Sequence, residues 1–459
     1  MSNYNTSYGY KKISDILSLD SPHIHFSGGG GVGMYSLVCL SLKLGYFVSV
    51  TDRQRSEYTD RLSSAGVRVS FGKDFGAVCA STLVVYSLAV DMLDEELIYA
   101  ASLGIPRVSR ADYLSFLMES YATKIAISGT HGKSTVTAMT SSIFSRAGIM
   151  PTTVSGAMLS TAEPYILGEK RAFIYEACEY RDSFLCMKPD ITAVTNIEYD
   201  HPDYFKDEAA VRSSFLSAVN NSRELAVLPF DDRNTERILK SVKVPYVTYG
   251  TGGGDYEYSI TAIRDYGCEF SVRKEGAEEN FYLSAIGAYN VANAACAATV
   301  AFEYGISKAF IKEAFADFTS PKRRLEYIGN YKDRSVLYDY AHHPTEIAAA
   351  IGAVKSWYGG RVSVVFKPHT YTRTKALWGD FVRALSLADY VILTDIFPAR
   401  EEPIFDISSQ RLAGDIGSSA AFVADDEVLA ALSDTEGAIV IMGAGNLDFV
   451  IKSMGLKKN

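Results

Sequence analysis

The chain has 459 residues, 47% of them hydrophobic and 22% charged, and a net charge of −9. At about 100–200 residues per domain, this length suits about three domains, each with apolar material for its own core. The acidic balance argues against a nucleic-acid partner, which needs a basic face, but leaves open small anionic ligands held by backbone N–H groups and a few local cations.

Six cysteines, at 39, 79, 178, 186, 268 and 296, form no C-x-x-C pair. They read as buried or inert thiols in a reducing compartment. The polar start MSNYNTSYGYKKISD lacks the apolar centre of a secretory signal. No stretch nears the ~18 continuous apolar residues of a membrane span. A cytoplasmic location without a membrane partner is expected.

The stretch 23-HIHFSGGGGVGMYSLVCLSLKLGYFVSVTD-52 reads as strand, glycine turn, apolar helix stopping near Gly45, and a second strand ending at Asp52. Strand-like segments at 82–87 and 105–110 continue a parallel, Rossmann-like alternation. Gly28-x-Gly30-x-x-Gly33, with Asp52 about twenty residues on, formally matches a dinucleotide fingerprint. Alone the match is weak. It suits a dinucleotide, the diphosphate of another nucleotide, or close helix–strand packing.

A second strand–turn–helix unit begins at Lys124, and a domain boundary is placed near residue 122. Its turn, Gly129-Thr130-His131-Gly132-Lys133-Ser134, departs from the G-x-x-x-x-G-K-[ST] spacing because Ile127 stands where the first glycine would be. The chemistry survives: glycines let amides face an anion, the helix start adds partial positive charge, Lys133 can reach phosphate oxygens and Ser134 can ligate Mg²⁺. Val136, Met139, Ile143 and Ala147 give the helix a sheet-facing stripe, ended by Gly148 and Pro151. Strands are expected at 191–196 and 225–230. An antiparallel excursion is expected over 246–276, and an alanine-rich helix over roughly 289–304.

Two segments, 176-EACEYRDSFL-185 and 194-VTNIEYDHPDYF-205, follow strand-like runs and bring Glu176, Glu179, Glu198, Asp200 and His201 to strand ends beside the phosphate loop. Carboxylates with imidazole near a triphosphate suit a divalent metal or proton transfer. The third block, after Pro321, has strand-like 335–340, 361–366, 390–395 and 438–443. Its segments 338-YDYAHHPTEIAAAI-351 and 366-FKPHTYTRTKAL-377 carry His342, His343 and His369 with Lys367 and Arg373. These cations suit an anionic co-substrate, since arginine binds a carboxylate with two parallel hydrogen bonds.

Together GTHGKST (129–135), EACEYRDSFL (176–185), TNIEYDH (195–201), YNVANA (289–294), KRRLE (322–326), DYAHHPTE (339–346), PHTYTRT (368–374) and DIFPAREEP (395–403) resemble the Mur ligase family, in its order and over nearly the whole chain. The resemblance implies an α/β protein of three domains: a Rossmann-like UDP-sugar domain (1–122), a central P-loop ATPase-type parallel sheet with an antiparallel excursion (123–321), and a Rossmann-like amino-acid domain (322–459). It implies ATP and Mg²⁺ as cofactors and amide-bond formation through an acyl phosphate. UDP-N-acetylmuramate and L-alanine are the implied substrates, with a preformed peptide or another amino acid as the alternative. It implies a monomer or weak homodimer.

On this resemblance, Gly129, Thr130, His131, Gly132, Lys133, Ser134 and Thr135 hold ATP, with Asn290 on adenine and Arg324 and Asp339 reaching it from the third domain. Ser134, Glu176 and His201 hold metal. His342 and His343 lie near the reacting groups, and Tyr340 and Arg373 near the amino acid. Gly28, Gly30, Gly31, Gly33 and Ser87 lie on the UDP-sugar side, which displaces the dinucleotide reading. Thr370 stands where some relatives carry a second arginine, Tyr289 where histidine is commoner, and Ser134 where threonine is commoner.

Overall fold

The structure, a computed structural model, describes residues 10–399 and 401–456. Most of the polar N-terminal segment, and Arg400 within PAREEP, lie outside the described residues. Three sheets succeed one another along the chain.

The first has five parallel strands in the order Arg68–Phe71, Phe47–Asp52, His23–Ser27, Leu83–Tyr86, Arg107–Ser109. Strand order reverses at His23–Ser27, so a crevice opens beyond its carboxyl end, where the first glycine turn lies. Gly28 has φ +74 there, and a Cβ would meet Val90 Cγ2 at 2.8 Å. The helix Val32–Lys43 follows, buried from Met34 to Ser41.

The second sheet has ten strands. Tyr246–Gly250, Leu225–Pro229, Ile191–Val194, Thr123–Ser128, Glu169–Glu176 and Pro151–Val154 lie side by side and parallel. Ile191–Val194 and Pro151–Val154 are buried along their whole length, and Leu225–Pro229 and Thr123–Ser128 at all but their first residue, as central strands covered on both faces are. Tyr256–Arg264, Gly267–Lys274 and Ala277–Leu283 extend one edge as an antiparallel meander. The excursion expected over 246–276 therefore begins later: Tyr246–Gly250 belongs to the parallel part, pairing with Leu225–Pro229. Period-2 alternation shows which face a residue takes, not the direction of the neighbouring strand.

Helix Lys133–Arg146 buries Val136, Met139 and Ile143 completely, whereas Ala147 is half-buried because it caps the helix and Gly148 turns away at φ +74. The alanine-rich helix Ala288–Glu303 packs beside it with Ala294, Ala295, Ala297, Ala298 and Ala301 buried. Small side chains allow that close approach.

The third sheet runs Glu326–Tyr331, Arg334–Asp339, Ala438–Met442, Val362–Phe366, Tyr390–Leu393, Ala420–Phe422, antiparallel in its first pair and parallel thereafter. Its carboxyl ends deliver 340–346 and 367–374 toward the second sheet. All six cysteines are free thiols, and Cys79 is exposed. Among the described residues no helix is long and apolar enough to cross a membrane.

The meander is sealed by Phe270, Phe281 and Phe315, whose ring centroids lie 5.4 to 5.9 Å apart. Truncating Phe315, which is fully buried, should cost about 3–5 kcal/mol. Phe315→Ala should therefore unfold at a lower denaturant concentration than the unaltered chain, followed by far-UV circular dichroism.

Candidate active site between the second and third sheets

Strand Thr123–Ser128 runs into the turn 129–132, which opens helix Lys133–Arg146. Gly129 at φ +133 and Gly132 at φ +82 hold conformations that other residues avoid. A Cβ on Gly129 would overlap Thr195 Oγ1, and one on Gly132 would lie 2.5 Å from Asn293 Oδ1. The turn is pinned to the end of the neighbouring strand. Thr130 N donates to Asn196 O (3.1 Å), His131 N to Asn196 Oδ1 (2.9 Å) and Glu198 N to Thr130 Oγ1 (2.9 Å).

Lys133 folds over this turn, its Nζ donating to Gly129 O, to Thr130 O at 3.0 Å and to Glu179 Oε2 at 3.0 Å. Burial alone would lower its pKa, but Glu179, with Cys178 and Glu176 behind it, outweighs burial and raises it above the usual value. The spot is a cage of oxygens that favours a cation.

Glu179, not Glu176, is the carboxylate beside Lys133. Its second oxygen lies 3.5 Å from His201 Nε2, whose ring rests 4.7 Å from that of Tyr180. Burial would raise the Glu179 pKa, but Lys133 and His201 bring it below the ordinary value. Glu176 Oε1 instead accepts from Ser155 Oγ (2.8 Å) and Gly156 N (2.5 Å), although its charge still reaches Lys133. Glu176 ends its strand, whereas Glu179 stands at the N-cap of the short helix Tyr180–Cys186 that follows. Ser134 is buried, and Arg324 Nη2 donates to its Oγ at 3.4 Å.

From the third sheet, Asp339 accepts Leu325 N and Ala341 N, both at 2.6 Å, and burial pushes its pKa up to about 6. His343 caps helix Pro344–Tyr358, its Nδ1 accepting Thr345 N at 3.3 Å. Glu346 closes the capping box, accepting His342 N (3.1 Å) and His343 N (3.3 Å) on Oε2. Its other oxygen lies 3.2 Å from His131 Nδ1, and Glu198 Oε2 lies 3.5 Å from His131 Nε2. Burial would lower the His131 pKa, but Glu346 and Glu198 raise it to about 10. A protonated imidazole thus joins the phosphate loop to the third-sheet helix, and Thr345 Oγ1 adds a bond to Glu198 Oε2 at 2.7 Å.

Arg373 is buried. It donates from Nε to Asp200 Oδ1 (3.0 Å) and from Nη2 to Oδ2 (3.2 Å), with Nη1 3.0 Å from His369 Nδ1. Burial works against the Asp200 carboxylate, but Arg373 carries its pKa far below the usual range. Arg373 therefore does not stand open for a substrate carboxylate; it is already paired across the junction. Burial lowers His342 to about 3 and His369 to about 4, so both rings are neutral near pH 7. The ring of Tyr340 stacks 4.8 Å from the Arg323 guanidinium and 5.1 Å from that of Arg324.

A cavity of about 130 Å³ between the loop and this helix is lined by His131, Gly132, Thr135, Asn293, Arg324 and Asp339, among others. Ligand sites usually span about 300–1,000 Å³, so a nucleotide is admitted only if the two lobes part. Asn290 is not among the lining residues. Its Nδ2 donates to Ile286 O at 2.8 Å, and Asn293, one helical turn on, faces the cavity.

In the first domain a second cavity, about 360 Å³, is lined by Gly28, Gly31, Asp52, Ser87 and, from the third block, Ala399. Gly30 N donates to Asp52 Oδ2 at 2.7 Å, and a Cβ on Gly33 would lie 3.1 Å from Arg110 Nη1. Asp52 is thus turned onto its own glycine loop, where a dinucleotide reading needs it on a ribose.

The His131 pKa is raised from 6.5 to about 10, so its contribution to stability is complete below pH 6.5 and is lost as pH rises through about 10. His131→Gln should destabilise the chain by about 3 kcal/mol at neutral pH. Denaturation midpoints of the two proteins should converge above pH 10.

Three family descriptions match in succession: Mur ligase family, catalytic domain over residues 23–122, Mur ligase middle domain over 127–301, and Mur ligase, glutamate ligase domain over 323–445. The UDP-N-acetylmuramate–L-alanine ligase of Caldicellulosiruptor bescii is 33% identical over 449 residues, 94% of this chain and 99% of that one. The enzyme of the same name from Geobacter sp. is 39% identical over 397 residues, 85% and 86% of the two chains. Among solved structures, UDP-N-acetylmuramate–alanine ligase of Thermotoga maritima superposes with a TM-score of 0.81 at 24% identity, covering 94% of this chain and 98% of that one. A murein peptide ligase of Psychrobacter arcticus gives 0.70 at 24% identity over the same shares. With one family segment on each sheet and relatives matched along almost their full length, the chain belongs to the Mur ligase family and is a ligase.

Proposed function

We propose that this ligase joins L-alanine to the lactyl carboxylate of UDP-N-acetylmuramate using ATP, in peptidoglycan precursor synthesis. The observation that carries this reading is the meeting of two chemistries at one junction. A phosphate-loop lysine backed by Glu179 and His201 faces a third-domain set of His342, His369 and Arg373. The near full-length likeness to L-alanine-adding relatives supports the choice of amine.

In this reading, a lactyl carboxylate oxygen attacks the γ-phosphorus and ADP departs, leaving an acyl phosphate. The ammonium first gives up a proton to solvent. The free amine then attacks the acyl carbon, loses its second proton to solvent, and phosphate leaves from the tetrahedral species. Lys133 exchanges the oxygens of Gly129 and Thr130 for phosphate oxygens and steadies the charge that develops there. Mg²⁺ would be held by Ser134, Glu176 and His201, with Glu179 beside them, and would neutralise phosphate charge; the Glu179 carboxylate 3.5 Å from His201 Nε2 supports that fit. Asn293 and Arg324 are placed to hold nucleotide as the lobes close.

L-Alanine is itself a paired anion and cation. It can exchange into the Asp200–Arg373 pair, its carboxylate on the guanidinium and its ammonium on Asp200. Neutral His342 and His369 leave Arg373 as the cation of that pocket. The cavity at Gly28, Gly31 and Ser87 takes the UDP end. The reading divides the chain at 122 and 321, places it in the cytoplasm and makes it a monomer or weak homodimer. Attachment of a preformed peptide is the second reading, favoured by the likeness to the Psychrobacter arcticus ligase.

Phosphate release should require UDP-N-acetylmuramate and an amine together, and mass spectrometry should show the L-alanyl product. Release with the peptide and not with L-alanine would select the second reading, and brisk hydrolysis by ATP alone would contradict both. Lys133→Ala should lower kcat at least about 100-fold. Arg373→Ala should raise the KM for L-alanine more than that for ATP.

A further inference from the structure

Opposite the Lys133 side of the phosphate loop, a ring nitrogen each of His131 and His343 and a carboxylate oxygen of Glu198 lie within 4.8 Å of one another. His131 and Glu198 come from the second-sheet domain, and His343 starts the first long helix of the third. His343 Nε2 is buried without a hydrogen-bond partner, and His131 Nε2 has only Glu198 Oε2, at 3.5 Å. Buried polar atoms are rarely left so, and an ion is one of the few things that accounts for them.

We propose that His131, Glu198 and His343 form a binding site for a zinc-class divalent ion, separate from the Mg²⁺ position at Ser134, and that the ion fastens the two domains together. Two imidazoles and a carboxylate are a recognised zinc donor set, with water in the fourth position, whereas Mg²⁺ prefers an all-oxygen octahedron. Ligands around tetrahedral zinc lie about 3.3 Å apart. The His131 Nε2 to Glu198 Oε2 distance is already 3.5 Å, and Glu198 Oε2 lies 3.9 Å from His343 Nδ1.

Glu346 supplies the outer support. Its carboxylate, 3.2 Å from His131 Nδ1, fixes that nitrogen as a donor and turns Nε2 toward Glu198 and His343. His131 lies between two carboxylates, Glu346 at 3.2 Å and Glu198 at 3.5 Å, so the position favours positive charge. Drawing ligands from both lobes, a zinc ion would hold the 130 Å³ cavity at its closed size and oppose admission of nucleotide.

The test is metal content, which does not depend on the identity of the substrates. Full-length protein, stripped with chelator, is equilibrated with zinc chloride in excess Mg²⁺, gel-filtered and assayed by elemental mass spectrometry. One zinc per chain is expected for the unaltered protein and for Glu176→Gln. At least a tenfold loss of affinity is expected in both His343→Ala and Glu198→Gln, each checked for folding by circular dichroism. Cobalt(II) in place of zinc should show the visible bands of a tetrahedral site, absent in whichever of the two variants folds. Zinc retained by both variants, lost on Glu176→Gln instead, or not bound at all would overturn the proposal.

Discussion

No side chain fits at Gly129 or Gly132, and the geometry around the phosphate loop follows from that. The two left-handed glycines let the backbone pass close to Thr195 and Asn293, so the loop is clamped between the end of Ile191–Val194 and the alanine-rich helix. Because the clamp is made by backbone and buried polar groups, the loop keeps its shape without a phosphate. It sends two cations to opposite sides, Lys133 toward Glu179 and His131 toward Glu346.

That division organises the junction. On one side, Lys133, Glu179 and His201 stay within the second-sheet domain and are suited to phosphate and metal. On the other, His131–Glu346 and Thr345–Glu198 cross to the third-sheet domain, and Arg373–Asp200, beside His201, crosses as well. Buried charge pairs cost desolvation and add little net stability against an apolar alternative, but breaking one is expensive. Pairs of this kind suit a contact that ligands make and unmake, because a ligand carrying matching charges can take over one half of a pair. The small closed cavity and the charge-paired Arg373 both describe the lobes docked on each other rather than on substrate.

The phosphate loop was legible because a strand, two glycines, Lys133 and Ser134 have a fixed local spacing. The sheets were legible because β/α alternation is a periodic signal. Which carboxylate meets Lys133 was not: Glu176 ends the strand, and the irregular turn after it, which carries Glu179 to the lysine, has no periodic signal. Asn290 and Asn293 share one motif, and only the helix's rotation against the sheet decides which faces the cavity. Glu346 went unnoticed because its partner His131 lies far away in the chain, although the capping-box spacing from His343 was visible. The strand at Tyr246–Gly250 alternated as an antiparallel strand would, and its true neighbour was hidden in the crossover.

The most direct test of the chemistry follows one oxygen atom. UDP-N-acetylmuramate with a heavy-oxygen-labelled lactyl carboxylate would be turned over with ATP and L-alanine, and the released phosphate analysed by mass spectrometry. An acyl phosphate requires the carboxylate oxygen to leave with phosphorus, so one labelled oxygen should appear in each phosphate. Unlabelled phosphate, with the amide product formed, would contradict activation of the carboxylate at the Lys133 loop.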